Sequence, residues 1–136
     1  SLGVKLDGTL WAWGSNQFGQ LGDGTAVDKN APIQIGMANN WKKVVAGALY
    51  SIAIKTDGTL WAWGYNWTGQ LGDGTTVNRN IPTQIGTATD WTEVDIASNH
   101  TLAIKTNGTL WAWGYNNNGQ LGDGTTVTKV VPIQIG

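Results

Sequence analysis

The stretch Gly8–Thr25 reads GTLWAWGSNQFGQLGDGT, and the chain repeats it with few changes at Gly58–Thr75 and Gly108–Thr125. The copies are spaced by 50 residues each time, without insertion or deletion. Self-similarity at a fixed period of this length is the sequence signature of a repeat architecture, in which stacked units bury a continuous core. The stretch therefore predicts a repeat fold.

Aligning the rest of the chain on this stretch divides the 136 residues into three units. Residues 37–86 and 87–136 are complete repeats, and residues 1–36 form a partial unit without the segment equivalent to Met37–Tyr50. We expect the three units to form one propeller-type domain or a fragment of one. The close similarity of the two complete repeats is typical of recent amplification or of design.

Four short strand patterns occur in the repeat 37–86. They are Trp41–Ala46, Ser51–Thr56, Thr59–Trp63 and a segment near Pro82–Ile85. No segment has helical periodicity over a useful length. The sequence therefore predicts an all-β fold built from four-stranded antiparallel sheets.

The second and third strands are joined by Asp57-Gly58, with Asp7-Gly8 and Asn107-Gly108 at the same place in the other units. Such dipeptides between apolar strands indicate a two-residue type I′ turn. That turn would pair Ile54 with Trp61. One bulky face would then carry Ile52, Ile54, Trp61 and Trp63, and a thin face would carry Ala53, Lys55, Leu60 and Ala62. Bulky faces packing on thin faces would give radially arranged blades.

The recurring GQLGDGT loop is expected to be structural. Gly72-Asp73-Gly74 predicts a tight turn, and Gln70 and Asp73 are placed to hydrogen-bond loop backbone. The motif lacks the Lys-Ser/Thr of a phosphate-binding loop. Structural roles are predicted for Gly24, Gly74, Gly124, Trp11, Trp13, Trp41, Trp61, Trp63, Trp91, Trp111 and Trp113.

Composition excludes several classes of function. A net charge of −1 with 12% charged residues argues against a basic patch for nucleic acid and against a polybasic membrane anchor. No apolar run approaches the ~20 residues of a membrane-spanning helix. The chain has one His, no Cys and no recurring carboxylate pair with catalytic spacing. We therefore expect no enzyme activity, no metal site and no cofactor.

Candidate binding residues are the positions where the repeats differ inside a fixed frame, because variable loops on a repeat scaffold can tune recognition. They are Ser15, Gln17, Phe18, Tyr65, Trp67, Thr68, Tyr115, Asn117, Asn118, Tyr50 and His100. Large aromatic residues at loop tips are the types that anchor interfaces. An alternative is that some of them fill gaps between neighbouring loops.

The W-x-x-V opening, the hairpin ending in WAWG, the N-x-x-GQLGDGT loop and the P-x-Q-I strand resemble the regulator-of-chromosome-condensation repeat over the whole chain. The resemblance implies four-stranded blades of a seven-bladed β-propeller. It also implies an interaction platform, since the family's members act mostly in that way and include a nucleotide-exchange factor for a small GTPase.

The sequence therefore favours a non-enzymatic scaffold that presents variable loops to a protein partner. Carbohydrate binding by loop-tip aromatics is an alternative, and guanine-nucleotide exchange is another, by family analogy only. Under three repeats cannot close a ring, because propellers typically have four to eight blades. The chain is thus a fragment of a longer propeller, a unit that closes with copies of itself, or an engineered or amplified array. Low charge with abundant Thr, Asn and Gly favours a bacterial extracellular or cell-surface protein.

Overall fold

The computed structural model describes all 136 residues and contains strands but no helices. Blade 1 contains β1 (Leu2–Val4), β2 (Leu10–Gly14) and β3 (Lys29–Gln34). Blade 2 contains β4 (Trp41–Ala46), β5 (Tyr50–Lys55), β6 (Leu60–Gly64) and β7 (Arg79–Gln84). Blade 3 contains β8 (Trp91–Ile96), β9 (His100–Lys105), β10 (Leu110–Gly114) and β11 (Lys129–Ile135). The predicted all-β fold is confirmed.

Each blade is an antiparallel sheet whose strands follow one another in chain order. The blades stack side by side, with β4 against β1 and β8 against both β5 and β4. β1 is the counterpart of β5, so in both pairs of blades the first strand of one blade lies against the second strand of the preceding blade. The inner strands of neighbouring blades thus lie close together, as they do around the axis of a propeller. The chain is an open, partial propeller. It contains no helix with the length and apolarity that crossing a membrane requires.

The turn between β5 and β6 differs from the prediction. Gly58 N donates to Lys55 O at 3.0 Å, and Lys55 N donates to Thr59 O at 3.0 Å. Gly58 has a φ of 78°, whereas no residue other than glycine has positive φ. A type I′ turn needs positive φ at both central residues, so that prediction is wrong. The turn is instead a three-residue loop that ends in a glycine bulge, and Asp57 Oδ1 supports it by accepting from Thr59 N at 3.0 Å.

This turn shifts the strand register by one residue. Ile54 pairs with Leu60, and Ala53 pairs with Trp61. A shift of one residue moves each side chain to the other face of the sheet, so the predicted bulky and thin faces are wrong. The aliphatic face of blade 2 carries Ile52, Ile54, Leu60 and Ala62. Its Trp face carries Ser51, Ala53, Trp61 and Trp63.

The core lies between the blades, where the aliphatic face of one blade packs on the Trp face of the next. Between blades 2 and 3 it includes Ile52, Ile54, Leu60, Ala62, Leu71, Trp91, Val94 and Trp113. Between blades 1 and 2 it includes Leu10, Ala12, Leu21, Ile35, Trp41, Ala53 and Trp63. Both interfaces therefore use the same pairing of faces.

The tryptophans differ in burial according to which face is covered. Those fully or almost fully buried are Trp41, Trp63, Trp91 and Trp113, and those half-buried are Trp11, Trp61 and Trp111. Trp13 is 37% exposed. Its prediction as a core residue therefore does not hold in this chain, because no blade covers the Trp face of blade 1.

Candidate functional site

The variable loops lie together at one end of the blades, which we call the loop face. It is formed by residues 15–28, 65–78 and 115–128, with the short connections 47–49 and 97–99. The connections and long loops meet because β6 ends where β5 begins, and Tyr65 N donates to Leu49 O at 3.0 Å. The loop face thus collects nine of the eleven candidate binding positions, all except Tyr50 and His100, which begin β5 and β9.

A buried asparagine organises each long loop. Asn66 is fully buried, and its Nδ2 donates to Asp73 Oδ1 at 3.1 Å and to Val77 O at 3.0 Å. Its Oδ1 accepts from Leu71 N at 3.0 Å. Asn16 and Asn116 make the same bonds. Sequence reasoning missed this role, although the asparagine is constant in the three loops beside variable neighbours.

The predicted roles of Gln70 and Asp73 in bonding loop backbone are confirmed. Gln70 Oε1 accepts from Thr68 N at 3.0 Å, and Asp73 Oδ1 accepts from Thr75 N at 2.9 Å. Burial raises the pKa of the equivalent Asp23, but hydrogen bonds from Thr25 and from other neighbours outweigh it and hold this pKa at about 2. The carboxylates therefore belong to the loop frame in their ionised form.

An aromatic cluster connects the loops of blades 1 and 2. Phe18 meets Tyr65 edge-on, with ring centroids 5.0 Å apart, and Tyr65 stacks on Trp67 with centroids 5.7 Å apart. Phe18 and Tyr65 are half-buried, whereas Trp67 is 69% exposed. Phe18 and Tyr65 therefore fill the gap between neighbouring loops, and Trp67 is presented to solvent.

Polar side chains surround the aromatic cluster. Ser15 and Gln17 are exposed beside Phe18, and a cleft of about 310 Å³ opens there between Gln17, Phe18 and the amides of Asn78 and Asn80. Half-buried Thr68 bonds Gln70 through its hydroxyl at 2.8 Å. These groups can supply hydrogen bonds around an apolar centre.

The third loop carries no counterpart of the aromatic cluster. Tyr115 is half-buried and makes no aromatic contact, and Asn117 and Asn118 are exposed. The loop face is therefore aromatic over blades 1 and 2 and amide-rich over blade 3.

Tyr50 is not available to a partner in this structure. It is 1% exposed, and its hydroxyl donates to His100 O at 2.7 Å, which ties blade 2 to blade 3. Burial raises the pKa of Tyr50. We therefore remove Tyr50 from the binding surface. His100 is half-buried at the border of the loop face, and burial lowers its pKa.

Comparison with protein-family models gives matches over most of the chain. The model described as the regulator of chromosome condensation (RCC1) repeat matches residues 7–54, 57–104 and 107–136. A second model of the same repeat matches residues 41–70 and 92–120. No curated protein sequence matches the chain.

Solved structures of the same architecture superpose on almost the whole chain. Prp20p of Saccharomyces cerevisiae, reported with its binding to Gsp1p and histones, has a TM-score of 0.85 and 25% identity over 99% of this chain and 36% of its own. Human WBSCR16 has a TM-score of 0.85 and 23% identity, over 99% and 37%. Yeast RCC1 (Prp20) bound to Kap60 has a TM-score of 0.87 and 24% identity, over 99% and 34%. The chain thus spans about a third of the length of these proteins.

Proposed function

The chain belongs to the regulator of chromosome condensation (RCC1) repeat family, and from that premise we propose that it is a non-enzymatic protein-interaction module whose loop face binds a protein partner. The observation that carries the proposal is the aromatic cluster, with Trp67 69% exposed at its outer end. Tryptophan and tyrosine are the residues in which interface binding energy concentrates. The reported binding of Gsp1p and histones by the similar Prp20p supports a protein as the class of partner.

The hydrogen bonds beneath the aromatic cluster support this function because they restrict the conformations of the variable loops. Asn66 ties the loop to itself, and Asn80 Nδ2 of blade 2 donates to Gly24 O of blade 1 at 2.9 Å. Side chains and loops that are already ordered lose less conformational entropy when a partner binds. The exposed ring of Trp67 therefore sits on a preorganised platform.

The surroundings of Trp67 fit an interface with an apolar centre and a polar rim. Gln17 and Thr68 flank the aromatic cluster, and Asn117 and Asn118 extend the rim over blade 3. Interfaces between proteins commonly combine a desolvated aromatic anchor with a hydrogen-bonding periphery. We therefore place the partner across the loops of all three blades, with Trp67 as its anchor.

Capture of proteins from an extract of the source organism tests the proposal. The immobilised native chain is compared with Trp67→Ala and with the matched control Val77→Ala, which removes an exposed apolar side chain from the same loop. A captured protein is purified and titrated directly. We expect Trp67→Ala to weaken binding by at least about 10-fold and Val77→Ala to change it little. If the captured protein binds the native chain and both variants with equal affinity, the aromatic cluster is not part of the interface.

Carbohydrate binding is a second candidate because the exposed ring of Trp67, stacked on Tyr65, offers a flat apolar platform. A glycan array distinguishes carbohydrate binding from protein binding. If the native chain binds a glycan, Trp67→Ala does not, and no protein is captured, carbohydrate binding is the function of the loop face. Guanine-nucleotide exchange is a further candidate function, supported only by analogy with the family. An assay of nucleotide release from a small GTPase that shows no acceleration would exclude exchange on that GTPase.

A further inference from the structure

The aromatic cluster continues into the polar cleft between the loops of blades 1 and 2. Phe18 belongs to both, because its ring meets Tyr65 edge-on at 5.0 Å and also lines the cleft of about 310 Å³. The other lining residues are Gln17, Gly19, Ala26, Asn78 and Asn80. The two blades that form the walls pack on each other through a shared core. We call the cluster and the cleft together the aromatic groove.

The aromatic groove presents hydrogen-bond donors that have no partner in the chain. The Tyr65 hydroxyl, Trp67 Nε1 and Asn78 Nδ2 make no hydrogen bond, and the polar atoms of the half-buried Tyr65 and Asn78 lie at the surface. Asn78 has a fixed orientation, because its Oδ1 accepts from Asn66 N at 2.8 Å. A backbone N–H can only donate, so the NH₂ group of Asn78 is the one that points away from Asn66. The groove therefore offers free donors beside aromatic rings.

No charged side chain lines the aromatic groove. The basic residues that begin the three outer strands each pair with an aspartate of the same loop, Lys29 with Asp23, Arg79 with Asp73 and Lys129 with Asp123. The one carboxylate of the loop face without a basic partner is the exposed Asp28. An acidic or phosphorylated segment would meet this negative charge and no free cation, although such segments are recognised by clusters of arginine. The groove therefore suits an uncharged or a weakly basic segment.

The outer strands oppose the addition of a further strand from a partner. Proline has no N–H to donate to a ladder, and β3, β7 and β11 contain Pro32, Pro82 and Pro132. In β7, Asn80 faces the same edge as Pro82, and its carbonyl already accepts from Gly24 N at 2.8 Å. We therefore expect an extended partner to bind in the aromatic groove and not as a strand of a blade.

A polyproline II segment has the features that the aromatic groove complements. Its backbone makes no internal hydrogen bonds, so its carbonyl oxygens are free to accept, and proline has no N–H that needs an acceptor. Proline-rich segments bind aromatic-lined grooves in other folds. Residues between the prolines keep their N–H groups, and the cleft provides acceptors in the Gln17 carboxamide and in Asn80 Oδ1, whose amide partner Nδ2 is held by Gly24 O.

We propose that the aromatic groove binds a proline-rich segment of the partner in the polyproline II conformation. Proline rings pack on Phe18, Tyr65 and Trp67. Carbonyl oxygens of the segment accept from the Tyr65 hydroxyl, Trp67 Nε1 and Asn78 Nδ2. The inference rests on the proposed function, because it names the part of a protein partner that the loop face recognises. A stiff segment and ordered loops both lose little conformational entropy when they bind.

A peptide array probed with the native chain tests the proposal. The array carries proline-x-x-proline peptides with varied residues at x, and beside each the same peptide with both prolines replaced by alanine. We expect a subset of the proline peptides to bind at least about 10-fold more tightly than their alanine counterparts. The proposal is overturned if no proline peptide binds more tightly than its alanine counterpart.

Three variants locate the bound peptide on the chain. The tightest proline peptide is titrated against the native chain, Trp67→Ala, Tyr65→Phe and Val77→Ala, and circular dichroism confirms that each variant keeps its β structure. We expect a loss of at least about 10-fold in Trp67→Ala, and of about 5-fold in Tyr65→Phe, which keeps the ring but lacks the hydroxyl donor. Val77→Ala lies in the same loop outside the groove and should bind like the native chain. Native affinity in both Trp67→Ala and Tyr65→Phe would overturn the proposal.

Competition distinguishes a failure of this inference from a failure of the proposed function. We expect the tightest proline peptide to displace the protein that the native chain captures from the extract. If the captured protein depends on Trp67 but no proline peptide displaces it, the proline-rich segment is wrong and the protein-interaction function stands. If neither the captured protein nor any peptide depends on Trp67, both are wrong.

Discussion

Asn66 and Trp67 are neighbours in the chain but belong to two different regions of the loop face. The Asn66 side chain is fully buried and hydrogen-bonds loop backbone and Asp73, whereas the Trp67 side chain is 69% exposed and makes no hydrogen bond. The same asparagine recurs at positions 16 and 116, while the following residue is Gln17 or Asn117. The fold depends on the asparagine, whereas the residue that follows it can change without loss of the loop structure.

The loop face consists of a structural frame and of variable tips. The frame consists of the buried asparagines, the aspartates of the GDGT turns, and the buried Trp63 and Trp113, whose rings lie against Gly22 and Gly72 of the preceding blade. The tips are the two residues between the buried asparagine and the next glycine in each loop, which are 17–18, 67–68 and 117–118. The residue before each asparagine, Ser15, Tyr65 or Tyr115, also belongs to the tips. If this division is right, frame variants lose stability and tip variants lose binding.

The largest loss of stability is expected at the interface between blades, which holds the frame of neighbouring loops together. Trp113→Ala removes a fully buried indole and its hydrogen bond to Gln70 O, which we expect to lower the free energy of unfolding by about 3–5 kcal/mol. Urea unfolding followed by circular dichroism measures it. Trp67→Ala is the matched control, with an expected change within about 0.5 kcal/mol. Equal losses in the two variants would contradict the division.

A smaller loss is expected within a single loop. Asn66→Ala leaves the amide of the buried Leu71 and the carbonyl of Val77 without their partner, so we expect a loss of about 1–3 kcal/mol. The matched control is Asn117→Ala, which removes the same side chain from an exposed tip. The same urea titrations compare the two. A loss in Asn117→Ala as large as that in Asn66→Ala would show that the tips also support the fold.

The smallest effect on stability is expected from protonation of the single carboxylate of Asp23 at acidic pH. The pKa of Asp23 is lowered from 3.8 to about 2 in the folded chain, so its stabilisation is present above pH 3.8 and is lost as the pH falls towards 2. Urea midpoints between pH 5 and pH 2 measure this change. Asp23→Asn should show a shallower decrease than the native chain. A decrease in Asp23→Asn as steep as that of the native chain would contradict the assignment.

The repeat and its four strands could be predicted because the apolar pattern recurs at one period. The register could not be predicted from Asp57-Gly58 alone, since that dipeptide fits both two-residue and three-residue turns. The deciding group is Thr59, whose amide and hydroxyl both donate to Asp57 Oδ1 while Asp57 keeps negative φ. A threonine follows the glycine in all three units, and this was the available signal.

The variable tips could be identified from the sequence, but their spatial relation could not. Phe18 and Tyr65 are distant in the chain and touch only because blades 1 and 2 stack. Tyr50 varies between repeats like a binding residue, yet it is buried where blade 2 meets blade 3. Variation at a position that packs on the next blade resembles variation at a position that meets a partner, and only the arrangement of the blades distinguishes them.

Photo-crosslinking from single positions tests most directly whether the exposed tip contacts the partner. In one variant, a benzophenone amino acid replaces Trp67. In a second variant, it replaces Asn107, which lies in an exposed turn at the opposite end of the blades. After irradiation in an extract of the source organism, we expect a covalent adduct with one protein from position 67 and none from position 107. An adduct from position 107 with none from position 67 would contradict it.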